Sequence, residues 1–586
     1  MFSPVDPHTL YYTTNFLFKT IDGGENWQVI SPDLARPHPG IPTSLGKLAD
    51  KDPKADKPRG VIYSLAPSFR TINTLWAGTD DGLIWLTRDG GKNWKDITPP
   101  ELTPWSKVTQ LDASRFDDDT VYASVSRFRI DDLRPYIFRT HDGGKSWQKI
   151  TNGLPDDAPV DTVRADPVRK GLLFAGTETS VWVSFDDGDH WQSLQLNLPH
   201  TSMRDLWIHN SDLIVATHGR SFWILDDITP LRQIDRDTAD SVALLFKPAP
   251  AYRVRRSTYT DTPIPPDEPL AQNPPAGAIL DYYLAPTPAG PVTLEILDAQ
   301  GKLVRRFSSI DKPDMTIEEL EKQHIPLYWI RMPRILSAEP GMHRWVWDLH
   351  YPAPTSTRHE FPISAVPGDT PRVPQGPRAL PGEYTVRINL KGDNTTTQAG
   401  TTTRRKFLFK NPASLTIKLD PRVKASPAEL EAMFKLQTRL ARIMTRSSEA
   451  ILQARSIREQ FEKLTAQATG ATGDAIKALD KKIAAILDGS GAPAAAKPTE
   501  KNLKAANDDI YTLYTAVDRA DAAPTPAQEK AASAIEVDLA PVMKRWEDLK
   551  STDLAALNRQ LKAASLPEIR NEIDTHLEEE PAEDLE

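Results

Sequence analysis

The chain has 586 residues, 39% of them hydrophobic, including 14 tryptophans, and a net charge of −9. That length exceeds a single core and calls for roughly two to four domains. The mild acidity and the lack of a basic stripe exclude nucleic acid as a partner, and the absence of cysteine excludes disulfides, thiolate metal sites and a cysteine nucleophile.

The first residues, MFSPVDPHTLYY, lack a basic region followed by an apolar run, so they are not a signal peptide. Strand-like text follows at once, which reads as a start inside a longer protein whose export signal lies elsewhere. No segment reaches the roughly 18 apolar residues of a membrane span.

From Thr20 runs TIDGGENW, which returns as TRDGGKNW from Thr87, THDGGKSW from Thr140 and, more loosely, SFDDGDHW from Ser184. The four aspartates, Asp22, Asp89, Asp142 and Asp186, lie about 67, 53 and 44 residues apart. Each box follows a strand pair, such as LWAGTDDGLIWLT, and precedes a short apolar strand. A fifth copy, LIVATHGRSFWILDD, keeps the strand pair and loses the glycines and tryptophan. Strand–turn–strand repetition at this period predicts β-propeller blades over 1–240. In such a turn the aspartate accepts backbone N–H groups and the glycines supply positive φ. The tryptophans, Trp27, Trp94, Trp147 and Trp191, cover the blade edge. A catalytic acid has no reason to recur once per blade, so the boxes read as scaffold.

The pattern S/T-x-D-x-G-x-x-W resembles the Asp-box, or BNR repeat, of sialidases, two-propeller xyloglucanases and sortilin-type propellers. The stretch Arg204–Gln233 is similar to bacterial BNR-repeat proteins labelled glycosyl hydrolase or sortilin-like, in which an Ig-like domain and a helical tail follow the propeller. That resemblance implies boxes on the outer rim, an incomplete ring in this chain, and an N-terminally truncated member of the group. It also implies a periplasmic or extracellular location for the full-length protein.

Residues 241–277 are proline-rich and read as an extended connector. Period-two alternation at Val292, Leu294, Ile296 and at Tyr384, Val386, Ile388, with hairpin chemistry at Asp298–Lys302, predicts a β-sandwich over 278–420. It resembles an Ig-like domain of the flagellar-hook-cap type. An insert at 310–340 carries one short helix. In WVWDLHYP, the residues Trp345, Asp348 and His350 read as a core strand with a polar turn rather than as chemistry.

Ser426-Pro427 opens a helical bundle over 426–570. Met433, Leu436, Leu440, Ile443, Ser447, Ala450, Ala454, Ile457, Phe461 and Leu464 form a seam that wants a helical partner, either within the chain or in a second copy. Residues 571–586 are an acidic tail.

The first turn of each blade, after its innermost strand, should face the central channel. It offers Asp80, Asp81, Glu178, His218 and Arg220 as ligand-binding candidates. The 12 histidines are scattered, and no calcium loop, phosphate loop or nucleophile elbow is present, so neither a metal nor a cofactor is expected. The sialidase arginine motif is also missing. Two functions follow. The first is an exported propeller protein that holds a glycan or polypeptide on its channel face without catalysis. The alternative is a glycoside hydrolase, xyloglucanase-like, with carboxylates partly outside this chain; the catalytic residues are left unassigned.

Overall fold

The computed structural model describes residues 1–42, 44–46, 59–235, 238, 241, 243–255, 261–285, 288, 290–323, 325–362, 364–390, 412–465, 467–490 and 501–573. The chain divides into two compact units, Met1–Ala239 and Asp240–Glu586. The fold is mainly β with a helical C-terminal region.

The first unit is a row of antiparallel blades. Blade 1 has three strands, β1 (Leu10–Thr13), β2 (Leu17–Thr20) and β3 (Gln28–Val29). Blade 2 has four, β4 (Ile62–Pro67), β5 (Leu75–Thr79), β6 (Ile84–Thr87) and β7 (Lys95–Asp96). Blade 3 comprises β8 (Lys107–Ala113), β9 (Val121–Arg127), β10 (Asp132–Thr140) and β11 (Gln148–Lys149). Blade 4 comprises β12 (Val160–Ala165), β13 (Leu173–Thr177), β14 (Val181–Ser184) and β15 (Gln192–Ser193). Blade 5 stops at three, β16 (Met203–His209), β17 (Asp212–Thr217) and β18 (Phe222–Leu225). Among the described residues it has no fourth strand, and its turn has lost the box.

Both faces of each inner blade are apolar, so every blade buries one face against each neighbour. Leu65, Leu75 and Ala77 of blade 2 pack on Tyr11, Leu17 and Ile30 of blade 1. Trp76, Ile84 and Leu86, on the opposite face, pack on Val108 and Leu111 of blade 3.

Each box closes its own turn, and the last three also fasten one blade to the blade before. The carboxylate closes the turn: Asp22 Oδ1 accepts from the Asn26 N–H at 3.0 Å, Asp89 from Asn93 at 2.9 Å, Asp142 from Ser146 at 2.9 Å and Asp186 from His190 at 2.9 Å. The tryptophan then pins the blade to the one before it. Trp94, Trp147 and Trp191 donate their indole N–H to the carbonyls of Ile30, Ile97 and Ile150 at 2.7–2.9 Å. The second box glycine makes room for that approach. A Cβ at Gly91, Gly144 or Gly188 would lie 2.2, 2.7 or 2.4 Å from those same three isoleucines.

In the second unit, a three-stranded sheet of β19 (Ala243–Leu245), β21 (Ala278–Leu284) and β24 (Gly341–Trp347) faces a five-stranded one. The latter contains β20 (Ala251–Arg253), β26 (Ala413–Leu419), β25 (Gly382–Leu390), β22 (Val292–Leu297) and β23 (Leu303–Ser308). The two sheets share a core around Leu280, Leu294, Trp347, Val386 and Leu415. The proline-rich connector is corrected here. Its first part supplies β19 and β20, because Ala243, Leu245 and Ala251 are buried in that core and pair with β21 and β26. Trp345 lies in β24, and Trp347 donates its indole N–H to the His350 carbonyl at 2.9 Å.

The helices run Pro427–Thr465, Gly470–Leu487, Leu503–Val517, Pro526–Asp548 and Ala555–Ala563. Ser426 and Glu429 cap the first reciprocally, each accepting the other's backbone N–H. Every residue of the predicted seam is buried, and it packs on Ile510, Tyr514, Leu539 and Trp546 of the later helices. Of the two partners left open for this seam, the structure supplies the one within the chain, so self-association through it is corrected. The acidic tail lies outside the described residues from 574 onward. No helix among the described residues is long and apolar enough to cross a membrane.

Candidate functional site

The innermost strand of every blade from the second onward carries one β-bulge at the same place. The register slips between Ile62 and Ser64, Val108 and Gln110, Val160 and Thr162, and Met203 and Asp205. The residues left over are Tyr63, Thr109, Asp161 and Arg204. A bulge breaks the ladder and re-aims one side chain. Here it occurs where consecutive inner strands β4, β8, β12 and β16 lie beside one another.

Two of these residues meet. Arg204 Nη1 donates to Asp161 Oδ1 at 3.2 Å and reaches Glu178 Oε1 at 3.3 Å. The two carboxylates thus share one nitrogen, and these oxygens are at most about 6.5 Å apart. Ser202 Oγ donates to Asp161 Oδ2 at 3.0 Å. Asp161 is nearly enclosed, its side chain 10% exposed, whereas Glu178 is 38% exposed. Burial, then the charge of Glu178, pushes the Asp161 carboxyl up to about 6; Arg204, Ser202 and Lys107 pull the other way without cancelling them. Next along the row, Lys107 Nζ lies 3.5 Å over the ring of Tyr63, which is itself exposed.

Of the turn residues singled out from the sequence, Asp80, Glu178 and His218 occupy one equivalent position in blades 2, 4 and 5. The N–H groups of Asp80, Glu178 and His218 donate to the carbonyls of Val61, Pro159 and Ser202. Of the five candidates, only Glu178 touches the Asp161–Arg204 pair through its side chain. Asp80 is committed: Oδ1 accepts from the Val61 N–H at 2.8 Å and Oδ2 pairs with Arg129 at 2.9 Å. Asp81 is corrected as a ligand-binding residue. It is fully buried, bonded to Thr79 Oγ1 at 2.5 Å and to the Arg36 N–H at 2.8 Å, so its oxygens serve the turn. His218 and Arg220 stand exposed on the turn after β17.

Asp161 and Arg204 were missed by sequence reading, although a signal exists. The inner strands of blades 4 and 5 open Val160-Asp161 and Met203-Arg204, each with a charged residue directly after a buried apolar one.

The box aspartates hold their protons far less tightly. Hydrogen bonds from Asn93 bring Asp89 down to about 2, and the corresponding groups on Asn26 and Ser146 hold Asp22 and Asp142 lower still. They remain ionised and occupied, which suits a turn and not a proton donor. A separate hollow of about 500 Å³ is lined by Arg127, Asp132, Arg134 and Asp156. Asp132 there is bound to Arg134 at 2.9 Å and to Arg127 at 3.5 Å. Among the described residues no group of three His, Asp or Glu side chains could hold a metal ion.

No family model matches the chain. A probable oligoxyloglucan-reducing end-specific xyloglucanase of Neosartorya fischeri is 26% identical over 262 residues, which is 40% of this chain and 30% of that protein. A vacuolar protein sorting/targeting protein 10 of Pyrenophora teres f. teres is 35% identical over 79 residues, 13% of this chain and 5% of that one. Among solved structures, the GH74 xyloglucanase of Xanthomonas campestris aligns with 38% of this chain and 36% of its own, at 17% identity and a TM-score of 0.28. The chain spans less than a third of the length of these curated relatives.

Proposed function

We propose that the blade row is a glycan-directed module of glycoside-hydrolase type, acting on a xyloglucan-class oligosaccharide. The observation that carries it is the carboxyl pair Asp161–Glu178 held on one guanidinium, with Asp161 raised to about 6. Glycoside hydrolysis wants one acid that keeps its proton near neutrality and one ionised partner, roughly 5–9.5 Å apart. Asp161 would give its proton to the departing glycosidic oxygen as the C–O bond breaks. Glu178, the more exposed group, would act on the anomeric carbon, directly or by taking a proton from the attacking water. The xyloglucanase relative supports this substrate class. Membership of the Asp-box group and a location outside the cytoplasm belong to the same proposal.

The test is release of reducing ends from xyloglucan oligosaccharides by the wild-type chain, Asp161→Asn and Glu178→Gln. Each substitution should lower the rate at least about a hundredfold, and the wild-type rate should fall as pH rises through about 6, when Asp161 loses its proton. Release that survives the double substitution would defeat the assignment. A second reading, holding of a glycan or polypeptide without turnover, is favoured by the Tyr63–Lys107 platform. It predicts binding that Tyr63→Ala weakens, with no reducing ends formed.

A further inference from the structure

Three guanidiniums and two carboxylates meet inside the second unit, where β20 and the segment leading into β25 reach the end of the helix Leu503–Val517. Reciprocal bonds bring the cations together. Arg378 Nη2 donates to the Val254 carbonyl at 2.8 Å, and Arg253 Nη1 donates to the Ala379 carbonyl at 3.2 Å. Val254 stands between Arg253 and Arg255 in the chain, so Arg378 faces both of them.

The two carboxylates are taken by the first two cations. Asp521 Oδ1 accepts from Arg253 Nη2 at 2.8 Å and from Arg255 Nη2 at 3.0 Å. Asp518 Oδ1 lies 3.5 Å from Arg255 Nη1 and accepts from Gln437 Nε2 at 2.9 Å. Arg378 has no such partner: among the described residues no carboxylate pairs with it. The residue is only 7% exposed, and its Nε meets no acceptor. Burial, then the charges of Arg255 and Arg253, brings its guanidinium down to about 10; Asp521 and Asp518 act against this without cancelling it. Arg378 therefore carries its charge at neutral pH with one bond to a carbonyl.

A buried charge is costly unless it is paired. Three guanidiniums against two carboxylates leave one positive charge in excess, and the Nε groups of Arg253 and Arg255 also lack acceptors. The buried acceptors without a donor, Asp521 Oδ2 and Gln437 Oε1, belong to groups already turned toward the other two cations or Asp518.

We infer that this cluster binds one small monovalent anion, a halide or a carboxylate, against Arg378. The single charge follows from the count. The small size follows from the burial of Arg378 and of the Arg253–Asp521 pair beside it. A guanidinium's several donors suit either kind of anion. Once bound, the anion balances the joint between the sandwich and the helices.

The test uses the full chain and the far-ultraviolet helix signal, which follows the second unit because the long helices lie there. Thermal unfolding starts in the sodium salt of a bulky sulfonate, HEPES, which is then replaced stepwise by chloride or by acetate at constant ionic strength. The wild-type midpoint should climb by about 3–6 °C once the small anion is about a hundredfold above its Kd. A climb with either anion supports the site, and the stronger response names the ligand. Arg378→Met removes the excess charge and should show no climb. Asp518→Asn keeps an acceptor for Gln437 and adds a second excess charge, so its climb should be steeper. Arg387→Gln, at an exposed guanidinium paired with Glu295, should climb as wild type does. A wild-type midpoint that ignores both small anions would mean that water serves Arg378, and would overturn the inference. So would a climb that Arg378→Met retains, or one that Asp518→Asn leaves unchanged; the latter decides even if Arg378→Met does not fold.

Discussion

Asp161 is the place where electrostatic strain in the blade row can be measured. Its carboxyl moves from an ordinary value of 3.8 to about 6 on folding, so between those values the folded protein binds a proton that the unfolded chain has lost. Stability therefore falls as pH rises through that window. At about 1.4 kcal/mol per unit, the burial of this charge costs about 3 kcal/mol once the pH is above 6. Asparagine keeps an oxygen for Ser202 and Arg204 and removes the charge, while Arg204 retains Glu178. Part of the gain is lost with the weaker Arg204 contact, so Asp161→Asn should stabilise the protein by about 1–2 kcal/mol at pH 8. At pH 4, where the wild-type group is protonated, the advantage should vanish. Urea unfolding followed by tryptophan fluorescence at both pH values gives the comparison directly. An equal effect at pH 4 and pH 8, or destabilisation at pH 8, would show that Asp161 is not held above its ordinary range.

In the second unit, Arg253 and Asp521 form an ion pair with side chains 0% and 3% exposed, and Arg255 shares the same carboxylate oxygen. Asp521→Ala leaves these guanidiniums without their shared counter-charge and should cost about 3–5 kcal/mol; a loss under about 1 kcal/mol in denaturant titration would mean that water reaches the pair. At the blade joints, Trp147→Phe removes the 2.7 Å bond to the Ile97 carbonyl and should cost about 1–2 kcal/mol. Trp27→Phe, with no bond to lose among the described residues, should leave the unfolding midpoint within error of wild type at low protein concentration. Equal effects of these two substitutions would refute the indole's role as a pin between blades.

The first four blades were legible because they repeat the same local chemistry: a carboxylate that accepts its turn's N–H groups, one or two glycines and an indole. The indole's second role was not legible. Its acceptor lies 41–64 residues upstream, and no local rule points to a carbonyl at that distance. The connector was misread for a related reason. Ala243–Leu245 has no turn or period of its own and becomes a strand only because β21 offers a partner. The helical seam was readable in position, since burial follows the three- and four-residue spacing, but spacing cannot say whether the covering helix belongs to the same chain.

The same logic separates scaffold from site. A joint made in every blade fixes the residues that make it, so a position that holds the same group in each repeat is occupied by the demands of packing. Function has room only where an equivalent position is free to differ. The turn of GTDDG, read from the sequence as the one after the innermost strand and found after the second, looked like that position, yet Asp80 and Asp81 are absorbed by Arg129, Arg36 and Thr79. The bulge is the better case. Its backbone geometry repeats while its side chain changes from Tyr63 to Thr109 to Asp161 to Arg204. An aromatic, a hydroxyl, an acid and a guanidinium thus stand at one level on adjacent strands. Even here Thr109 donates to the Val160 carbonyl of the next blade and Asp161 accepts from Ser202 and Arg204 of the blade after its own, so of the four Tyr63 is the one whose side chain is given to its neighbour Lys107 alone.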